Sequence, residues 1–233
     1  AAAAHPSPAL FDAVARTSVP RVRDFNPQDL SITVHAFAKA GHASPALFEA
    51  VASTAVQRLG SFTPQGLANV LWAYATMGHS APALFEEAAV VSMRRLDEFD
   101  PQALANVAWS CAKACHSDAR LFGALGRAAE HHVDAFNTQA LVNTAWAFAK
   151  LGVPGGSLLA ALARSMRRTS LDELSAAHLA RIAWSFSKSG EQDAQLFEAL
   201  ARSAEKRLGA FDAADLANLA WAFATAGVPA PAL

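Results

Sequence analysis

Asparagine, glutamine and lysine side chains recur at a near-constant interval along the chain, and such groups could contact a nucleic acid. One set, spaced 37 or 38 residues apart, consists of Asn69, Asn106, Asn143, Arg181 and Asn218. Gln65, Gln102 and Gln139 stand four residues before three of these positions. A lysine set comprises Lys39, Lys113, Lys150 and Lys188. An asparagine amide offers both a donor and an acceptor to a base edge, and a lysine neutralises a phosphate.

If each amide lies on its own helix in a stack, each repeat could contact one base of a single strand, which is a known recognition scheme. A neighbouring position varies, as a base-by-base reader would require: Asp29, Gly66, Ala103, Ala140, His178 and Asp215. Lysine in the last turn of a helix also complements the helix dipole, and exposed amides can simply be solvated or join neighbouring repeats. Nucleic-acid binding, protein scaffolding and a pure spacer therefore all remain open.

A repeated unit must position these side chains, and the sequence shows it directly. The segment Phe62-Thr-Pro-Gln-Gly-Leu-Ala-Asn returns as Phe99-Asp-Pro-Gln-Ala-Leu-Ala-Asn, with further copies from Phe136, Leu174 and Phe211 and a weaker copy from Phe25. We predict one array over residues 1–233. Its full repeats are 25–61, 62–98, 99–135, 136–173 and 174–210, between a partial repeat at 1–24 (a second helix) and another at 211–233 (a first helix).

Each repeat is predicted to contain two helices, A and B. Helix A follows a residue suited to an N-cap: Asn26, Thr63, Asp100, Asn137, Ser175 or Asp212. It ends at a glycine in every copy except the third, where Cys115 stands, so we expect that helix to end differently. One such helix pair cannot bury both of its apolar faces alone. The fold is therefore predicted to be all-α, an α-solenoid of stacked repeats forming a right-handed superhelix.

Other residues give weaker signals. Trp72, Trp109, Trp146, Trp184 and Trp221 occupy one column beside the amide set. These rings could stack on bases, but tryptophan at a fixed spacing in a repeat is more often core, and we interpret the column as core. Cys111, Cys115 and His116 have no fourth ligand in reach, so we expect no zinc site. The sequence shows no phosphate loop, paired-carboxylate site or nucleophile motif. We therefore predict no enzymatic activity and no cofactor.

Composition narrows the class of protein. Hydrophobic residues make up 53% of the chain and include much alanine, which favours helices. The net charge of −1 removes a global electrostatic argument for nucleic-acid binding, although a local positive stripe can still bind. No apolar run is long enough to cross a bilayer, so we expect no membrane insertion.

The repeated Phe-x-Pro-Gln-x-Leu-Ala-Asn-x-x-Trp-Ala-Phe-Ala-Lys-x-Gly resembles the octotricopeptide repeat and its close variant, the heptatricopeptide repeat. Both occur in algal, apicomplexan and related organellar proteins. The likeness covers essentially the whole chain, with departures at Ile32, His35, Ala177, Arg181 and Ala214. It implies an α-solenoid that binds single-stranded RNA in a chloroplast or mitochondrion, in transcript processing, stability or translation. Some members of the family are instead architectural parts of organellar ribosomes, which keeps a protein scaffold as the alternative.

Overall fold

The computed structural model describes residues 7–191 and 193–227, and every regular element in them is a helix. The ends of the two predicted partial repeats, residues 1–6 and 228–233, lie outside the described residues. The α-helices are α1 (Pro8–Ser18), α2 (Pro27–Ala40), α3 (Pro45–Val56), α4 (Pro64–Met77), α5 (Pro82–Met93), α6 (Pro101–Lys113), α7 (Ala119–His131), α8 (Thr138–Leu151), α9 (Gly156–Arg167), α10 (Ala176–Lys188), α11 (Ala194–Glu205) and α12 (Ala213–Ala226). Short 3-10 turns such as Leu59–Ser61 and Leu208–Ala210 join each helix B to the next helix A.

The helices form two compact units that divide between Leu121 and Phe122. In the first unit α2 packs against α4, α4 against α6, and α3 against α5. In the second unit α8 packs against α10, α10 against α12, and α9 against α11. Helix A thus stacks on helix A, and helix B on helix B, within each unit. This arrangement confirms the predicted all-α repeat fold.

The predicted N-caps are confirmed in every helix A. In each case the cap side chain accepts a hydrogen bond from the backbone N–H three residues further on, which satisfies one of the free donors at the helix start. The six caps are Asn26, Thr63, Asp100, Asn137, Ser175 and Asp212. In α2 the bond is reciprocal, because the Asp29 carboxylate accepts from the backbone N–H of Asn26 at 3.1 Å.

The C-terminal ends of these helices share one turn, and here one prediction was wrong. Gly78 ends α4 with a φ of 63°, in the left-handed region that favours glycine. Cys115 adopts the same turn after α6 with a φ of 57°. Its N–H bonds to the carbonyl of Ala112, and the next N–H bonds to that of Cys111. The helix therefore ends as the others do, because two backbone hydrogen bonds hold a non-glycine residue in a left-handed conformation.

The core lies between the two helical layers of each unit. A leucine column of the A helices is almost completely buried from α2 to α10, as at Leu67, Leu141 and Leu179, whereas its last member, Leu216 on α12, is exposed. Aromatic rings of helix B meet those of the following helix A edge to face. The ring centroids of Phe48 and Tyr74 are 5.0 Å apart, and those of Phe197 and Phe223 are 5.3 Å apart. Such pairs stabilise by about 0.5–1.5 kcal/mol beyond the area they bury.

The tryptophan column is only partly buried, so the interpretation of it as core holds in part. Trp72, Trp109, Trp146 and Trp184 are half-buried, and Trp221 is 44% exposed. The indole rings therefore lie at the surface edge of the A layer, where one part of each ring remains accessible. Among the described residues, no helix combines the length and the apolar character that crossing a membrane requires.

Candidate nucleic-acid interface

A groove of about 350 Å³ in the second unit is formed by α8, α10 and α12. Its lining residues are Trp146, Lys150, Ala177, Arg181, Trp184, Asp215 and Asn218. We call it the cationic groove because Lys150 and Arg181 both line it. The structure thus brings together three of the residues that the columns predicted, namely Lys150, Arg181 and Asn218.

Helical periodicity explains why these side chains share one face. Trp146 and Lys150 are four residues apart on α8, and Arg181 and Trp184 are three apart on α10. Residues three and four apart lie above one another on a helix. The buried residues that face the other way are Leu141 on α8, Leu179 on α10, and Leu219 with Phe223 on α12. Their burial fixes the rotation of each helix. The groove is therefore positioned by the core and not by a loop.

The charges in the groove influence one another. Asp215 is half-buried, and burial raises the pKa of its carboxyl above the usual range, with the nearby charge of Asp212 adding to the rise. The guanidinium of Arg181 acts in the opposite direction on this carboxyl. Burial also lowers the pKa of His178, and Arg181 lowers it further. His178, which is not part of the groove lining, is therefore neutral at neutral pH, and the cations of the lining are Lys150 and Arg181.

The central amides are paired within their own helices. Gln102 Nε2 donates to Asn106 Oδ1 at 3.0 Å, and Gln139 Nε2 donates to Asn143 Oδ1 at 2.8 Å. Asn106 is half-buried, although the sequence suggested a solvent-facing side chain, and Asn143 is only 7% exposed. Such i, i+4 pairs stabilise a helix by about 0.2–0.5 kcal/mol. The side-chain oxygens of Asn106 and Asn143 are thus already bonded. Among the asparagines of this set, Asn218 in the groove is the exposed one.

Residues 76–233 match the family described as RNA-editing substrate-binding complex 6 protein. This stretch covers more than half of the sequence and contains every residue of the cationic groove. The chain belongs to this family. No curated protein matches it. The RNA-editing substrate-binding complex 6 protein family is an RNA-related family of helical proteins. The family match does not test the likeness to octotricopeptide repeats, which remains a resemblance.

In this family member the first unit holds a different kind of groove, of about 560 Å³, at the start of α2 and α4. The predicted residues Gln65 and Asn69 line it, together with Gln28 and Ile32. Its lining contains no charged side chain. Gln65 and Asn69 thus lie in uncharged surroundings, whereas the cationic groove combines an amide, two cations and two indoles.

The lysine column is distributed among different surroundings. Lys39, Lys113, Lys150 and Lys188 are all exposed in the last turn of a helix A. Lys113 lines a separate pocket of about 400 Å³ with His79 and His116. Only Lys150 lines the cationic groove.

Two kinds of groove residue were not among the predicted site residues. The indoles of Trp146 and Trp184 were assigned to the core, and Asp215 was noted only as a varying position. A signal existed for the first kind, because His35 replaces tryptophan in the weakest repeat and a fully buried column rarely accepts such a change. In the structure the His35 ring lies 4.9 Å from that of Trp72. Burial, aided by Lys39, lowers the pKa of His35, so this ring is neutral when it contacts the indole.

The two cysteines occupy structural positions of the repeat. Cys111 is buried in the aromatic column, where burial raises the pKa of its thiol to about 12. Cys115 is exposed at the end of α6. Among the described residues, no group of three or more histidine, cysteine or acidic side chains is arranged to hold a metal ion.

Proposed function

We propose that this chain is a non-catalytic module that binds single-stranded RNA in the cationic groove, as part of an RNA-editing substrate-binding complex. One observation carries the proposal: three stacked helices bring two cations, two half-buried indoles and an exposed amide into one groove. Family membership supports it, because the name of the family refers to the binding of an RNA-editing substrate.

Each group has a role that suits a single strand. The accessible parts of Trp146 and Trp184 offer surfaces on which bases stack, a contact that contributes about 1–3 kcal/mol per base. Lys150 neutralises a phosphate as a point charge, and the planar guanidinium of Arg181 binds either a phosphate or a base edge. With a net charge of −1, the chain has no general attraction for RNA, so binding depends on this local charge.

The test compares two double variants that remove the same charge. Lys150→Gln with Arg181→Gln alters the cationic groove, whereas Arg164→Gln with Arg202→Gln alters exposed cations of the B helices α9 and α11. Fluorescence anisotropy with a labelled single-stranded RNA measures affinity at several salt concentrations. At about −0.7 per phosphate contact, the slope of log K against log salt should be about −1.4 for the wild type if Lys150 and Arg181 both contact phosphates, and about −0.7 if Arg181 contacts a base. The groove variant should lose affinity and flatten this slope, and the B-helix variant should do neither.

A protein scaffold in the same complex is the alternative function, and the experiment separates the two. A scaffold would bind no RNA, or would bind RNA equally well with either double variant. Quenching of tryptophan fluorescence by RNA adds a second readout, since Trp146 and Trp184 lie in the groove. Absence of quenching together with equal affinities would overturn the RNA-binding proposal.

We also propose that the protein acts in an organelle, which rests on the resemblance to organellar repeat proteins. Fluorescence microscopy of the tagged protein, with markers for mitochondria and chloroplasts, is the direct measurement. A cytosolic signal would reject this location and leave the RNA-binding proposal untouched.

A further inference from the structure

Asp215 is the one acidic side chain in the lining of the cationic groove. A carboxylate repels phosphates, so its position beside two cations needs an explanation. An acid in the first turn of a helix usually serves the helix dipole or a cap. In α12 the capping role is already filled, because Asp212 Oδ1 accepts from the backbone N–H of Asp215 at 2.7 Å.

The equivalent residue in another repeat shows what the purely structural role looks like. Asp29 stands at the same position of α2 and completes a capping box, with its carboxylate bonded to the N–H of Asn26. Helix α12 has no such reciprocal bond among the described residues, and Asp215 instead lines the groove together with Arg181 and Asn218. The carboxylate of Asp215 therefore faces the space that a bound strand would occupy.

The combination of Asp215 and Arg181 has a definite chemical preference. An ionised carboxylate only accepts hydrogen bonds, so it favours two adjacent donors. Of the four RNA bases, guanine alone presents two adjacent donors on its Watson–Crick edge, N1–H and the N2 amino group. Guanine also presents O6 and N7 as acceptors, which are the groups that arginine contacts best. Adenine, cytosine and uracil each place an acceptor opposite the carboxylate.

We propose that Asp215 and Arg181 make the cationic groove selective for guanosine in a single-stranded RNA. This inference rests on the proposed function, since it assumes that RNA enters the groove. Trp146 and Trp184 supply stacking for any base, so selection falls to the polar pair. The raised pKa of Asp215 agrees with a carboxyl whose ionised form is disfavoured by partial burial and by the charge of Asp212 in the free protein, although Arg181 opposes both effects.

The experiment uses four labelled oligouridines that differ at one central nucleotide, which is guanosine, adenosine, cytidine or uridine. Anisotropy titrations with the wild-type chain should show guanosine bound about tenfold more tightly, since a good bidentate base contact discriminates by about 1–3 kcal/mol and 1.4 kcal/mol corresponds to tenfold. Asp215→Asn should bring the four affinities close together. Its affinity for the all-uridine strand should rise, because a negative charge that repels phosphates is gone. Glu198→Gln, which removes an exposed charge on α11, should keep the guanosine preference.

The outcomes separate the two proposals. Equal binding of the four RNAs by the wild type would overturn guanosine selection and leave RNA binding standing. A preference that persists in Asp215→Asn would place the selecting group elsewhere and would also reject the inference. Failure of the wild type to bind any of the four would reject the proposed function itself. Thermal unfolding followed by circular dichroism checks that the variants remain folded.

Discussion

The hydroxyl of Tyr74 donates a hydrogen bond of 2.5 Å to the backbone carbonyl of Phe48. Tyr74 belongs to α4 and Phe48 to α3, so the bond joins helix A of one repeat to helix B of the repeat before it. Both side chains are buried, and their rings also meet edge to face. Burial raises the pKa of Tyr74 far above its usual range, so the phenol stays protonated and remains a donor.

Tyr74→Phe should lower the free energy of unfolding by about 1 kcal/mol, the typical net contribution of one hydrogen bond. The loss should not be larger, because Phe148 and Phe223 occupy the equivalent position in other repeats, so a phenylalanine ring fits there. Urea unfolding followed by circular dichroism measures the change. Phe148→Leu serves as a packing control in the same column. A loss above about 3 kcal/mol for Tyr74→Phe would mean that the hydroxyl orders more of the interface than this single bond.

Cys115→Gly should raise the free energy of unfolding by about 1 kcal/mol. Cys115 holds a φ of 57°, and a left-handed conformation costs an L-residue roughly 1–2 kcal/mol that glycine avoids. The greater entropy of glycine in the unfolded chain offsets part of this gain. Gly78→Ala is the matched reverse change, at a φ of 63° with open space around the added Cβ, and it should destabilise by a similar amount. Equal stability of Cys115→Gly and the wild type would show that the turn carries no strain.

The repeat fold could be predicted because its signals are local. The N-caps, such as Thr63 and Asp100, and the glycine ends depend on a few consecutive residues whose preferred backbone conformation is known. Cys115 was misjudged for a related reason. The sequence shows the missing glycine, but the two hydrogen bonds that impose the turn on another residue become visible only in three dimensions.

The candidate site was harder to predict because burial of a column depends on how helices stack. Trp184 and Leu179 are both largely apolar and lie on the same helix, yet only Leu179 is fully buried. Periodicity defines a helix face but not how far its edge is covered by the neighbouring helix. Hydrogen bonds between side chains could not be predicted either. The amide of Gln102 donates to Asn106 Oδ1, so this oxygen is already bonded, which the sequence pattern does not reveal.

Trp184→Ala should destabilise the protein by about 2 kcal/mol, below the roughly 3–5 kcal/mol typical of a fully buried tryptophan. Leu179→Ala on the same helix should cost at least as much, about 3 kcal/mol, because Leu179 is 0% exposed despite its smaller side chain. Chemical unfolding gives both values, and anisotropy gives RNA affinity. Trp184→Ala should weaken RNA binding even at denaturant concentrations well below the unfolding transition, where the variant is still folded. If Trp184→Ala instead proves much the more destabilising change and RNA affinity is unaffected, the indole is core and not part of an interface.

Asp215→Asn should stabilise the folded protein near neutral pH, even though it removes a helix-start charge of a favourable sign. Burial and Asp212 raise the pKa of Asp215 in the folded state, which means that folding disfavours its ionised form. Below the unfolded pKa of about 3.9 the carboxyl is protonated in both states and no penalty exists. As the pH rises from there through the folded pKa, the wild type loses stability and the variant does not.

Thermal unfolding of both proteins at several pH values tests this dependence. The melting temperature of Asp215→Asn should exceed that of the wild type at pH 7, and the difference should shrink toward pH 4. Asp29→Asn is the matched control, because Asp29 bonds to the N–H of Asn26 and its charge favours the start of α2. That variant should melt slightly below the wild type at pH 7. A lower melting temperature for both variants would show that Asp215 also serves its helix, and the carboxylate in the cationic groove would then need no ligand to explain it.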